Sequence, residues 1–143
     1  MDLVAHFKGA RTLVSLQAGL ALFSEGEPGK NMYVLMEGSA AVLVGGEVIE
    51  IASPGALLGE MALVDSHVRS ATVITRSPCR VISINKPQFD LLVRESPEFA
   101  RHVMMVMADR LRRMNERFKV AAGKLPFRRA PFTKVLREDP PIV

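Results

Sequence analysis

The sequence predicts an α+β protein. Its body is an antiparallel eight-stranded β-roll of jelly-roll type, with a short N-terminal helix, a short helix inside the roll and two helices after it. Three observations carry that prediction. Short apolar segments recur at even spacing from Thr12 to Ile84, each closed by a glycine- or proline-bearing turn, which favours a roll or barrel over an open sheet. Gly45-Gly46 stands between two such segments, where a two-residue hairpin needs positive φ. Beyond Ile84 the strand pattern stops, and two cap-then-proline starts open helices, Asn85 with Pro87 and Ser96 with Pro97.

Taken in order, Asp2–Ala10 reads as a short helix with Leu3, Val4 and Phe7 on one face. Strands follow at Thr12–Leu16 and Leu20–Phe23, and Ser24–Asn31 is a polar turn rich in Gly and Pro. Met32–Met36 and Ser39–Val44 are strands joined at Glu37-Gly38, and the glycine pair folds the second onto Glu47–Ile51. Ser53-Pro54-Gly55 turns the chain into Leu57-Leu58. The last two strands are Ala71–Thr75 and Arg80–Ile84. The first C-terminal helix runs to about Arg94. In the second, Met104, Met107, Leu111, Met114 and Phe118 step by three and four, a heptad-like stripe. Packing of that face on the roll is expected ahead of a homodimer seam. The expected domain is 1–120, with the roll over 12–84 and the helices over 86–119. Residues 121–143 form a basic tail broken by Gly123, Pro126, Pro131, Pro140 and Pro141, expected to be mobile.

Composition excludes several classes. A chain of 143 residues, 48% apolar, makes one domain with a core, but no apolar run is long enough to span a membrane. Lys8 and Arg11 precede the apolar stretch Leu13–Phe23, yet Ser15, Gln17 and Gly19 interrupt it and no small-x-small cleavage site follows, so export is not expected. The lone Cys79 can form no internal disulfide, which fits the reducing cytoplasm, and its apolar strand marks it as a structural thiol. The net charge of +4 belongs to the tail: through Phe118 there are 13 Lys+Arg and 13 Asp+Glu, and after it six basic residues against Glu138 and Asp139. A neutral body is not expected to bind DNA specifically. His6, His67 and His102 fall on different elements without ligand spacing, with His67 read as a solvated loop residue and His102 as a helix-face residue. With no Ser/His/Asp set, P-loop or paired carboxylates, neither a metal, a cofactor nor an enzyme is expected.

The informative stretch is Leu58–Thr72, Leu-Gly-Glu-Met-Ala-Leu-Val-Asp-Ser-His-Val-Arg-Ser-Ala-Thr. It reads as a tight turn at Gly59, a helical turn over Glu60–Leu63, a loop carrying Arg69, and small residues entering a strand. Small residues admit close approach of a ligand to the backbone. Arg69 offers a planar fork of donors suited to two phosphate oxygens, and Glu60 is an acceptor suited to a sugar hydroxyl.

Gly59-Glu60-Met61-Ala62-Leu63, Arg69 nine residues after Glu60, and Ser70-Ala71-Thr72 together resemble the phosphate-binding cassette of cyclic nucleotide-binding domains. That family includes catabolite-activator-type regulators, protein kinase regulatory subunits and nucleotide-gated channels. The Gly-Glu-Pro-Gly turn and the Tyr-Val-Leu-Met-Glu-Gly-Ser strand extend the resemblance over roughly residues 12–118. It implies a sensor that binds a cyclic nucleotide through Gly59, Glu60, Met61, Ala62, Arg69, Ser70 and Ala71. Arg69 would pair with the exocyclic phosphate oxygens, alongside the amides of Ala62, Ser70 and Ala71. Glu60 would accept from the ribose 2′-hydroxyl, near the Gly59 amide. Ser70 in place of Thr favours cAMP, although its hydroxyl leaves cGMP open. The long helix would close as a lid, with Arg110, Met114 and Asn115 as candidates to meet the base, and an unknown downstream protein would read the movement. A helix-turn-helix domain needs ~60 residues after that helix, more than remain. The alternatives are a fragment of a larger channel or transcription regulator, and a roll kept only for docking. Met1 fits a complete chain or a designed one.

Overall fold

The computed structural model describes residues 1–10, 12–65 and 68–122. Eight strands form: β1 Leu13–Leu16, β2 Ala21–Phe23, β3 Asn31–Glu37, β4 Ala40–Val44, β5 Glu47–Ala52, β6 Leu57–Leu58, β7 Thr72–Thr75 and β8 Cys79–Asn85. They build two four-stranded antiparallel sheets, β1-β8-β3-β6 and β2-β7-β4-β5. The chain passes back and forth between the sheets and stays within one only at the β4–β5 hairpin, where Gly45 and Gly46 have φ of 57° and 81°. At one end of β3, Asn31 lies opposite Asn85 of β8.

The central strands β3 and β8 are apolar on both faces because both are covered. Leu35, Val81 and Cys79 point between the sheets, with Phe23, Val42, Leu58 and Val73. Met32, Val34, Met36, Ile82 and Ile84 point outward, under Leu3, Phe89, Phe99 and Val103 of the helices. Each such side chain taken from water contributes roughly 1.5–3 kcal/mol. Cys79 is 2% exposed, a packed thiol as its strand setting predicts.

Among the described residues four helices accompany the strands: α1 Leu3–His6, α2 Met61–Asp65, α3 Lys86–Glu95 and α4 Pro97–Ala122. The first is shorter than Asp2–Ala10. Asp2 caps it, but Gly9 at φ +85° turns the backbone out of helical geometry. α3 opens on a capping box, Gln88 N–H to Asn85 Oδ1 and Asn85 N–H to Gln88 Oε1, both 2.9 Å. Ser96 Oγ accepts from Phe99 N–H at 3.2 Å and so starts α4.

Residues Met1–Ala108 form one compact unit, and a second begins at Asp109. The described part of the second is the remainder of α4, laced by Asp109–Arg113 and Glu116–Lys119 ion pairs at 2.9 and 3.2 Å. Of the heptad-like stripe on α4, Met107 packs against the core. Phe99 and Val103 are buried, with Val106 and Met107 partly so. Met104, Leu111, Met114 and Phe118 are 60–68% exposed. The difference lies along the helix: at about 100° per residue Met114 and Phe118 continue the stripe of Phe99, Val103 and Met107, but Leu111, Met114 and Phe118 come after Ala108, where the compact unit ends. The readings of His67 as a solvated loop residue and of the tail beyond Ala122 as mobile fall outside the described residues.

Candidate functional site

The predicted cassette forms one corner of the roll. Gly59 holds φ +77°, a left-handed conformation natural to glycine. It is followed by Glu60, whose carbonyl accepts from Leu63 N–H at 3.1 Å, so the helix proper starts one residue later than expected, at Met61. From Val68 the chain runs along the β2–β3 turn. Val68 bridges Pro28, Arg69 N–H donates to Glu27 O at 2.8 Å, and Gly26 N–H donates to Arg69 O at 2.8 Å. This clip fixes the Arg69 backbone against the turn containing Glu27-Pro28-Gly29.

The side chain of Arg69 then runs inward and is 5% exposed. Nη1 donates to Gly59 O at 3.2 Å and Nη2 to Asn31 O at 2.7 Å. The guanidinium carbon stands 4.1 Å from the centroid of Phe23 and 5.9 Å from that of Tyr33. Nε is buried and has no partner. Burial lowers the arginine's pKa, while Tyr33 and Glu27 pull it up; the group remains a cation. Glu60 is also buried, at 1% exposure, and these two are the charged members of the buried set among the described residues. Charged side chains are rarely so enclosed unless they serve a partner or a ligand.

The other predicted residues surround this pair. Ala62 is buried and Met61 is 46% exposed on the outer side of α2. Ser70 is exposed and its Oγ lies 3.7 Å from Met61 Sδ. Ala71 packs against the inter-sheet core. Arg110, Met114 and Asn115 stand on α4 beyond Ala108, Arg110 half-buried and the other two exposed. Sequence reasoning missed four participants: Phe23, Gly29, Asn31 and Tyr33. Asn31 contributes a backbone oxygen, which no side chain announces. A cavity of about 400 Å³ lies beside the cluster, lined by Gly29, Asn31, Ala62 and Leu63 and by Asn85 and Lys86 at the start of α3. No group of three or more His, Cys, Asp or Glu side chains among the described residues is placed to hold a metal ion.

Residues 13–96 match the family model described as cyclic nucleotide-binding domain. The chain belongs to that family. Over 86 residues it is 38% identical to the cyclic nucleotide-gated potassium channel of Mesorhizobium japonicum, covering 60% of this chain and 24% of the channel. It is 28% identical over 107 residues to the CRP-like cAMP-activated global transcriptional regulator of Mycobacterium tuberculosis, covering 71% of this chain and 48% of the regulator. The chain thus spans about a quarter and about half of these relatives. Among solved structures it resembles PKAR CBD2 with Sp-2Cl-cAMPS bound, with a TM-score of 0.62 and 27% identity over 73% of this chain and 69% of that one. A cyclic nucleotide-binding domain is a regulatory binding module. In this one no helix among the described residues is long and apolar enough to cross a membrane.

Proposed function

We propose that this domain is a cyclic nucleotide sensor that takes cAMP ahead of cGMP and transmits occupancy through movement of its C-terminal helices. The observation that carries the reading is Arg69: a buried guanidinium with an unpartnered Nε, in a cassette whose Glu60 is also buried. A cyclic phosphate carries one negative charge, which one arginine can match with two aligned hydrogen bonds. Arg69 binds the exocyclic phosphate oxygens, with the amides of Ala62, Ser70 and Ala71 beside it. Glu60 accepts from the ribose 2′-hydroxyl, near the Gly59 amide, and Met61 borders the ligand. No metal or cofactor enters this recognition.

The lid of this reading is α4, with Arg110, Met114 and Asn115 toward the base. The exposed Met104, Leu111, Met114 and Phe118 offer the same helix as a seam for a second copy of the chain. A single packed thiol at Cys79 fits work in the cytoplasm, and a charge-balanced body fits a sensor that does not bind DNA specifically.

Calorimetric titration with cAMP, cGMP and 2′-deoxy-cAMP tests the reading. The wild type should bind cAMP tightest and the deoxy analogue more weakly, and Glu60→Gln should bind cAMP and its deoxy analogue alike. A wild type that binds no cyclic nucleotide leaves the roll as a docking platform and ends the sensor reading.

A further inference from the structure

Phe23 closes β2, 46 positions before Arg69, and faces the space between the sheets at 7% exposure. Its ring carries the Arg69 guanidinium at 4.1 Å from the centroid, within contact distance of a cation on an aromatic face. Tyr33 stacks on Phe23 from β3, centroids 6.1 Å apart and planes 23° from parallel, which fixes the ring's tilt. Gly59 supplies the third side. A Cβ there would stand 3.1 Å from Phe23 Cε2 and would collide with Arg69 Nη1, so only a residue without a side chain lets ring and guanidinium meet.

We propose that Phe23 is a positioning residue for the anion-binding arginine: its ring holds the guanidinium in the plane from which it meets the phosphate. The two backbone acceptors, Gly59 O and Asn31 O, fix Nη1 and Nη2 within that plane. They do not stop the group from rocking out of it. A ring beneath does, and it interacts most strongly where water is excluded, as it is here. An aliphatic side chain of equal bulk would fill the space without holding the charge. The consequence for affinity rests on the sensor reading; the contact itself does not.

The test uses the whole chain and three substitutions. Phe23→Met keeps the volume and removes the π face, Phe23→Tyr keeps the face, and Arg69→Leu removes the charge. Phe23→Met should weaken cAMP binding about tenfold, Phe23→Tyr should bind as the wild type does, and Phe23→Met should cost nothing further once Arg69 is Leu. Equal loss in both Arg69 backgrounds, or none in either, overturns the proposal, because a purely structural Phe23 would not depend on the arginine. The ligand-free protein gives a second readout. The Arg69 guanidinium NMR resonances, assigned by their loss in Arg69→Leu, should show the ring-current displacement of a group over an aromatic face. Their absence of displacement in the wild type overturns the proposal even if Phe23→Met fails to fold. A wild type that binds no cyclic nucleotide overturns the sensor reading alone, and the displaced resonances then decide the Phe23 assignment.

Discussion

A Cβ built on Gly29 would stand 2.6 Å from Nε of Arg69. The same atom would lie 2.9 Å from Ala62 Cβ, so it has no room to retreat on the cassette side. The glycine of the β2–β3 turn is therefore the floor under the arginine, chosen for absent bulk rather than for backbone freedom.

Gly29→Ala should push the guanidinium away from its two carbonyl partners. Loss of one hydrogen bond to a charged group costs ~1.5–3 kcal/mol. We expect cAMP affinity to fall by about tenfold or more, and the thermal midpoint to fall with it, since the added methyl meets two buried side chains. Calorimetry beside a melting curve checks both halves, and unchanged affinity would show that the arginine can shift without consequence.

Arg69→Leu separates binding from stability. Removing a charge paired with a bound phosphate costs roughly 2–5 kcal/mol, which predicts at least ~30-fold weaker cAMP binding. Without ligand the sign reverses. Burying the guanidinium has a desolvation cost that an apolar side chain avoids, so the ligand-free variant should melt no lower than the wild type. A large drop in its melting temperature would mean that the bonds to Gly59 O and Asn31 O hold the roll together.

Ending the chain after Ala108 removes the lid candidates Arg110, Met114 and Asn115 and keeps the compact unit Met1–Ala108. If ligand favours a closed helix position, that difference in affinity drives the switch. The shortened chain should then lose several-fold in cAMP affinity and release ligand faster, while still depending on Arg69. Stopped-flow displacement with a fluorescent cAMP analogue measures the off-rate. Equal rates would assign the lid elsewhere.

His102 introduces a pH term on the helix side. Burial lowers its pKa, the Met1 amino group lowers it further, and Glu98 partly opposes them. A folded-state pKa below the unfolded 6.5 means that the unfolded chain binds more protons in that window. The contribution of neutral His102 is therefore intact above pH 6.5 and is lost as pH falls through the lower, folded value. Melting temperatures at neutral and mildly acidic pH should show the loss, and His102→Gln should reduce it. An identical acid profile in the variant would remove His102 from the explanation.

The strands and helices were largely legible in the sequence because local chemistry marks them. Gly45-Gly46 dictates a hairpin, and Asn85 with Pro87 dictates a helix start, whatever surrounds them. The cassette was legible for a related reason: seven of its residues lie within thirteen positions. What surrounds Arg69 was not. Phe23 and Asn31 lie 46 and 38 positions away, and only the pairing of strands brings them together. The stripe on α4 misled because its later members, Leu111, Met114 and Phe118, come after Ala108, where the compact unit ends. Spacing alone does not say how far along a helix the core extends.

The Asn31 carbonyl that holds Arg69 belongs to the residue paired with Asn85, and Asn85 is the cap of α3. Three elements therefore meet at a single pair of residues. From the Arg69 guanidinium to the start of the first C-terminal helix the path is two residues, Asn31 and Asn85. If ligand displaces the Arg69 side chain, the shift reaches the α3 cap through the end of β3, without passing through the core.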